Sequence, residues 1–165
     1  MADVRVIGID PGLKRTGYGC IEAAPGGDVM IEAGVLRIPQ GPSLAHRLAA
    51  LNTPLRALLL ELQPDRVVVE SVFAHRIRGH TAMLMGHARG VILLAIADAG
   101  LDVVEIAPAE VKKAVTGSGR ADKQQMQHAV ASQLNLAEIP EPSDAADALA
   151  LALCGMRRFN DPIES

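Results

Sequence analysis

Hydrophobic positions along the chain change their period twice, and the changes divide it into elements. Residues 4–10 (Val-Arg-Val-Ile-Gly-Ile-Asp) form a Val- and Ile-rich run of the kind that makes a buried strand. Asp10-Pro11-Gly12 ends it, because proline lacks an N–H and glycine accepts positive φ. Residues 17–23 and 29–38 read as two further strands joined by the turn Pro25-Gly26-Gly27-Asp28. Three strands with short links predict an antiparallel meander.

The spacing then lengthens to three and four. Ser43 is placed to cap a helix, and Leu44, Leu48, Leu51, Leu55, Leu58 and Leu62 line one face of it. Pro54 is expected to kink or split that helix. Residues 66–70 are a short buried strand ending on Glu70, and residues 81–99 a long helix closed by Gly100. Residues 101–106 make a fifth strand, followed by helical stretches at 108–115, 121–133 and 144–158. The order βββαβαβααα implies right-handed crossovers, with strands one, four and five parallel and strands two and three an antiparallel edge. The fold class is α/β: a five-stranded mixed sheet, a three-stranded meander plus parallel strands, flanked by helices. No repeat or linker divides the chain. Residues 1–158 are therefore expected to be a single domain, and 159–165 a short C-terminal tail, frayed beyond Arg158.

Composition narrows the class. A chain of 165 residues, 49% hydrophobic, suits one domain with a proper core. No uncharged apolar run reaches the roughly 18 residues of a membrane span. The N-terminus enters a strand directly, without the zones of a signal peptide. Cys20 and Cys154 lie far apart and form no C-x-x-C pair, so they read as buried thiols of a reducing compartment. A cytoplasmic protein with no membrane partner is expected.

The net charge of −3 argues weakly against nucleic acid. Its distribution argues the other way. Residues 71–97 hold no acid, yet carry His75, Arg76, Arg78, His80, His87 and Arg89. Lys112, Lys113, Arg120 and Lys123 follow with only Asp122 among them. Such a stretch is either a solvated face or a local basic patch on an acidic protein. One Tyr, two Phe and no Trp are too few for a protein that stacks many single-stranded bases.

The candidate chemistry is carboxylate chemistry. Asp10 and Glu70 close strands one and four, and the C-terminal edge of such strands is where open α/β sheets place their sites. Asp144 and Asp147 are three apart at the start of the last helix, on one face. On their own they are equally well explained as acids that complement the helix dipole. Taken with the other two they acquire a different sense. Converging carboxylates repel one another unless a divalent cation neutralises them, and an oxygen-only set without His or Cys selects Mg²⁺ or Mn²⁺ over zinc. Two such ions about 4 Å apart can activate water and stabilise the leaving oxygen of a phosphodiester. Gly8-Ile9-Asp10-Pro11-Gly12 also resembles the first phosphate motif of actin-like sugar kinases, and that string alone does not separate the two readings.

Several motifs in order do separate them. Gly8-Ile9-Asp10-Pro11-Gly12, Thr16-Gly17-Tyr18-Gly19, Glu70-Ser71-Val72-Phe73 and Asp144-Ala145-Ala146-Asp147-Ala148-Leu149-Ala150 resemble the RuvC family of Holliday junction resolvases. So do Gly86-His87-Ala88-Arg89-Gly90-Val91 and Val111-Lys112-Lys113-Ala114-Val115-Thr116-Gly117. The resemblance spans nearly the whole chain. It implies an RNase H-like fold and a Mg²⁺- or Mn²⁺-dependent endonuclease that nicks two opposed strands of a four-way junction in recombination and repair. It implies a homodimer, and RuvA and RuvB as partners. Asp10, Glu70, Asp144 and Asp147 carry over as the metal-binding catalytic set. Lys112 and Lys123 match basic positions near the family's active site, and Phe73 an aromatic that meets the junction.

The supporting residues can also be weighed by themselves. Phe73 is followed by His75-Arg76-Ile77-Arg78, and an apolar wedge beside Arg76 and Arg78 suits unstacking of a base at a branch point. Lys112 and Lys123 flank Gly117-Ser118-Gly119 and are placed to stabilise charge developing on a phosphate. Gly86 and Gly90 permit close packing of the long helix, on the sheet or on a twin helix. Two competing functions remain: an RNase H-like enzyme of pre-ribosomal RNA processing, and an actin-like nucleotide-binding module, for which the chain lacks room for a second phosphate loop and an adenosine motif.

Overall fold

The computed structural model describes residues 3–12, 14–71 and 78–161. The strands are β1 (Arg5–Asp10), β2 (Arg15–Glu22), β3 (Val29–Arg37), β4 (Arg66–Glu70) and β5 (Val103–Ile106). The helices are α1 (Leu44–Leu62), α2 (Gly79–Asp98), α3 (Pro108–Thr116), α4 (Lys123–Gln133) and α5 (Ser143–Asn160). The sheet order is β3-β2-β1-β4-β5. β1 pairs antiparallel with β2, through Asp10↔Gly17, and parallel with β4, through Ile9↔Val69. β5 continues the parallel half and β3 closes the antiparallel half, so the expected mixed sheet is present.

Side chains alternate across a strand, and here the alternation serves two cores. Ile7, Ile9, Val67 and Val69 pack under α1 and α2 with Leu51, Leu55, Ile92 and Ile96. Val6 and Val68 pack on the other side with Leu149, Leu151 and Leu153 of α5 and with residues of α3 and α4. Helix α5 is buried almost all round from Ala145 to Met156, as a helix must be when it lies between a sheet and an outer helical layer. It sits directly on the sheet backbone. A Cβ at Gly8 would come within 2.1 Å of the Ala148 carbonyl oxygen, and one at Gly17 within 2.2 Å of that of Asp144. Glycine in the strands and alanine in the helix make that close approach possible.

Several boundaries differ from expectation for identifiable reasons. β2 starts two residues early because Arg15 and Thr16 already pair with Arg37 and Leu36 of β3. β5 starts at Val103, since the Leu101 N–H still bonds the Ile96 carbonyl of the preceding helix. Pro54 does not split α1. Leu51, Leu55, Leu58, Leu59 and Leu62 are buried on both sides of it, at roughly 1.5–3 kcal/mol each. That outweighs the cost of one interior proline, about 3 kcal/mol. α5 runs to Asn160, two residues past the Arg158 boundary expected for it, and the Arg66 guanidinium lies 4.5 Å over the Phe159 ring; residues 162–165 lie outside the described residues. Both cysteines are free and buried, as expected. Gly86 and Gly90 do not pack on the sheet, because nothing lies within 4 Å of a Cβ built at either.

Candidate active site

Strand parity aims the first two carboxylates. Asp10 shares its side of β1 with Val6 and Gly8, and Glu70 shares its side of β4 with Val68, so both project toward α5. The close seat of α5 on Gly8 and Gly17 brings Asp144, in its first turn, and Asp147, three residues on, against them. Carboxylate oxygens of Asp10, Asp144 and Asp147 all lie within 4.8 Å of one another. Glu70 joins this group through a hydrogen bond with Asp10. The structure therefore brings the four carboxylates named from the sequence together at one edge of the sheet.

The electrostatics fit a cation site. The Asp10 carboxyl is pushed up to about 8, first by burial and then by the charges of Glu70, Asp147 and Asp144. Burial also raises Glu70, while its hydrogen bond with Asp10 and the charges of Lys112 and Arg89 pull it down. Asp147 is raised by burial and opposed by Lys123, whose Nζ is 3.6 Å away. A hydrogen bond between the Asp10 and Glu70 carboxyls requires a proton between them, and the raised Asp10 is the group placed to donate it. Asp144 Oδ2 is buried, and the cation that faces it is the Arg15 guanidinium. This oxygen-rich, self-repelling donor set suits a hard divalent ion.

The carboxylates open into a cavity of about 290 Å³ lined by Asp10, Glu70, Asp147, Lys112 and Lys123. Lys112 comes from α3 and Lys123 from the first turn of α4, on either side of the loop that starts at Gly117 in a left-handed conformation (φ 85°). Arg78 stands exposed just before α2. Phe73 and Arg76 lie outside the described residues.

Two cations at the site escaped the sequence reading. Arg15 Nε is paired with Asp144 Oδ2, at the start of β2. Arg89 donates from Nη1 to the Glu70 carbonyl oxygen (2.6 Å) and from Nη2 to Glu105 Oε1 (2.5 Å). The signal for Arg89 was available: it is the one Lys or Arg in α2.

A five-stranded mixed sheet of this order, with acids at the ends of β1 and β4 and on the final helix, is the RNase H-like arrangement. Residues 6–155 match the family model described as crossover junction endodeoxyribonuclease RuvC. A protein of that name from Rhodopirellula baltica is 45% identical over 159 residues, 96% of this chain and 89% of the relative. The solved Thermus thermophilus RuvC superposes with a TM-score of 0.87 at 30% identity, over 95% of this chain and 96% of that one. The T. thermophilus protein in complex with Holliday junction substrate gives 0.84 at 29%, over 95% of each chain. The chain belongs to the RuvC family of crossover junction endodeoxyribonucleases.

Proposed function

We propose that this chain is a divalent-metal-dependent endonuclease that resolves four-way (Holliday) DNA junctions by paired, symmetric nicks in opposed strands during recombination and repair. The observation that carries the reading is the crowding of four carboxylates in a family member, with Asp10 held protonated to about pH 8 unless a cation replaces the proton. Asp10, Glu70, Asp144 and Asp147 would hold Mg²⁺ or Mn²⁺, two per site. When bound, the cations supply the positive charge that activates water and stabilises the leaving oxygen.

The chain's own residues do the rest. Asp10 gives up its proton on loading. Lys112 and Lys123 line the cavity from α3 and α4 and stabilise charge that grows on the scissile phosphate. Phe73 acts as an apolar wedge at the branch point, with Arg76 and Arg78 on the flanking phosphates. The whole of residues 1–158 works as one nuclease domain in the cytoplasm.

The homodimer has support in α2. By length and composition this helix could cross a membrane, but its exposed side also carries His80, His87 and Asp98, and within it Met83, Gly86, Gly90, Leu94 and Ala97 form an apolar stripe. Open space over both glycines suits the close approach of a twin helix. A C2 dimer would place two identical sites on a junction that is itself two-fold symmetric. RuvA and RuvB are the partners proposed from family membership.

The test incubates labelled four-way junction, linear duplex and structured RNA with Mg²⁺, Mn²⁺ or EDTA. Junction cleavage that requires the ion, and its loss in Asp10→Asn with junction binding retained, is the expected result. Cleavage of the RNA alone, or wild-type cleavage by Asp10→Asn, would reject the assignment.

A further inference from the structure

Glu70 stands where the sheet stops holding β4 on one side. The last β1–β4 pair is Ile9↔Val69, so β1 no longer carries Glu70 itself. On the other side Glu70 pairs with Ile106, and the Ser71 N–H reaches the Ile106 carbonyl at 2.9 Å. The remaining tie comes from a different layer. Arg89 reaches from the middle of α2 to the Glu70 carbonyl oxygen at 2.6 Å. Its second arm is held by Glu105 at 2.5 Å, and Glu105 is the residue of β5 in register with Val69. The guanidinium fork thus joins α2, β4 and β5 at one point, with the arginine side chain only 15% exposed.

From this geometry we infer that Arg89 is a positioning residue that sets, through the backbone, where the Glu70 carboxylate stands in the acidic cluster. The inference rests on the metal-nuclease reading above and deepens it. A metal ligand must be held within about 0.5 Å of its working position by the groups behind it. Glu70 is the last residue of its strand, and a small rotation at its peptide moves the carboxylate by more than that. A planar fork that bonds a carbonyl and a carboxylate together suits this task better than a single ammonium. The competing role for Arg89 is plain helix docking. Docking would change stability without singling out the cation or the chemical step.

The full-length chain is tested as wild type, Arg89→Gln, Arg89→Lys and Glu105→Gln. Mn²⁺ binding without DNA is followed by calorimetry, junction binding by band shift, and the single-turnover cleavage rate at saturating junction. Arg89→Gln is expected to weaken Mn²⁺ binding about tenfold and slow cleavage about 10- to 100-fold, as supporting residues behind metal ligands do. Junction affinity should stay within about twofold, because Arg89 contacts protein groups and not the substrate. Arg89→Lys, which keeps one donor, should recover part of the Mn²⁺ affinity. Glu105→Gln, which keeps an acceptor, should lose about two- to threefold. Wild-type Mn²⁺ affinity in folded Arg89→Gln overturns the inference. Should that variant fail to fold, wild-type Mn²⁺ affinity in both Arg89→Lys and Glu105→Gln overturns it equally. Loss of junction affinity in place of Mn²⁺ affinity also overturns it, by placing Arg89 on DNA. A wild-type chain that binds Mn²⁺ yet cuts no junction would instead defeat the proposed function, and the Mn²⁺ comparison would still judge Arg89.

Discussion

The acidic cluster should cost the metal-free protein stability, and Asp10→Asn should return it. The Asp10 carboxyl is pushed from its ordinary 3.8 up to about 8, by burial and by its three acidic neighbours. The folded chain therefore keeps this proton until about pH 8, whereas the unfolded chain releases it near pH 4. This group's favourable contribution is complete below pH 4, falls as pH rises, and is gone above about pH 8. Four pH units at about 1.4 kcal/mol each give a gross effect of about 6 kcal/mol. Relaxation and water entry around the cluster leave about half of it, roughly 3 kcal/mol. Asparagine has no charge to desolvate. At pH 8.5 in EDTA the variant should melt higher than the parent, by about 6–12 °C for a domain of this size. At pH 4 the two should melt together. The assay is thermal unfolding by circular dichroism from pH 4 to 8.5, in EDTA and again with Mn²⁺. Added Mn²⁺ should raise the parent's midpoint in a saturable way and the variant's much less. A variant that melts at or below the parent at pH 8.5 in EDTA, or a difference that does not change with pH, refutes the reasoning.

Four other perturbations test neighbouring parts. Gly8→Ala drives a Cβ to 2.1 Å from the Ala148 carbonyl oxygen; urea unfolding should show a loss of about 3 kcal/mol or more, as severe overpacking does. Lys112→Ala should lower the single-turnover cleavage rate about 100-fold while leaving junction affinity nearly unchanged, and a change in affinity alone would move Lys112 from chemistry to binding. Leu94→Glu puts a charge on the exposed α2 stripe; if the proposed homodimer forms there, light scattering should report a dimer for the parent and a monomer for the variant. Arg15→Gln removes the cation now paired with Asp144, and calorimetry should find Mn²⁺ binding about two- to fivefold tighter, the scale of an exposed ion pair.

The strands and helices were legible because their periods are clean and their ends are marked by Pro11, Ser43, Gly100 and Gly117. The Asp10–Glu70 pair followed from topology alone, since adjacent parallel strands must deliver their last residues to the same edge. The Asp144–Asp147 pair did not follow. First-turn acids look the same whether they serve a helix dipole or a metal, and only the depth at which α5 sits on the sheet tells them apart. That depth is a tertiary property, set by Gly8 and Gly17 in strands remote from α5 in the chain. The partners of Arg15 and Arg89 were illegible for a related reason, although Arg89 stood out as the lone Lys or Arg of its helix. A basic residue on a strand or helix gives no sign of which carboxylate or carbonyl it will meet across the fold. Pro54 shows the opposite failure: a local rule predicted a break, and the buried leucines on both sides of it prevailed.

The net charge of −3 can now be placed. Fully ionised, the four cluster carboxylates carry more negative charge than the whole chain has in excess, so everything outside the site is close to neutral. The acidity that argued against a nucleic-acid partner is concentrated where cations bind. On the two-ion reading, loading would neutralise the four carboxylates, and the positive charge of Lys112 and Lys123 would then meet a phosphate without opposition from the cluster. At physiological salt the field of the bare carboxylates is screened over about 8 Å, a distance that still includes Lys123, whose Nζ is 3.6 Å from Asp147. On that reading the ions that would enable hydrolysis would also remove the repulsion that keeps a phosphodiester out of the site, and engagement of the strand at the cavity would be tied to the loaded state.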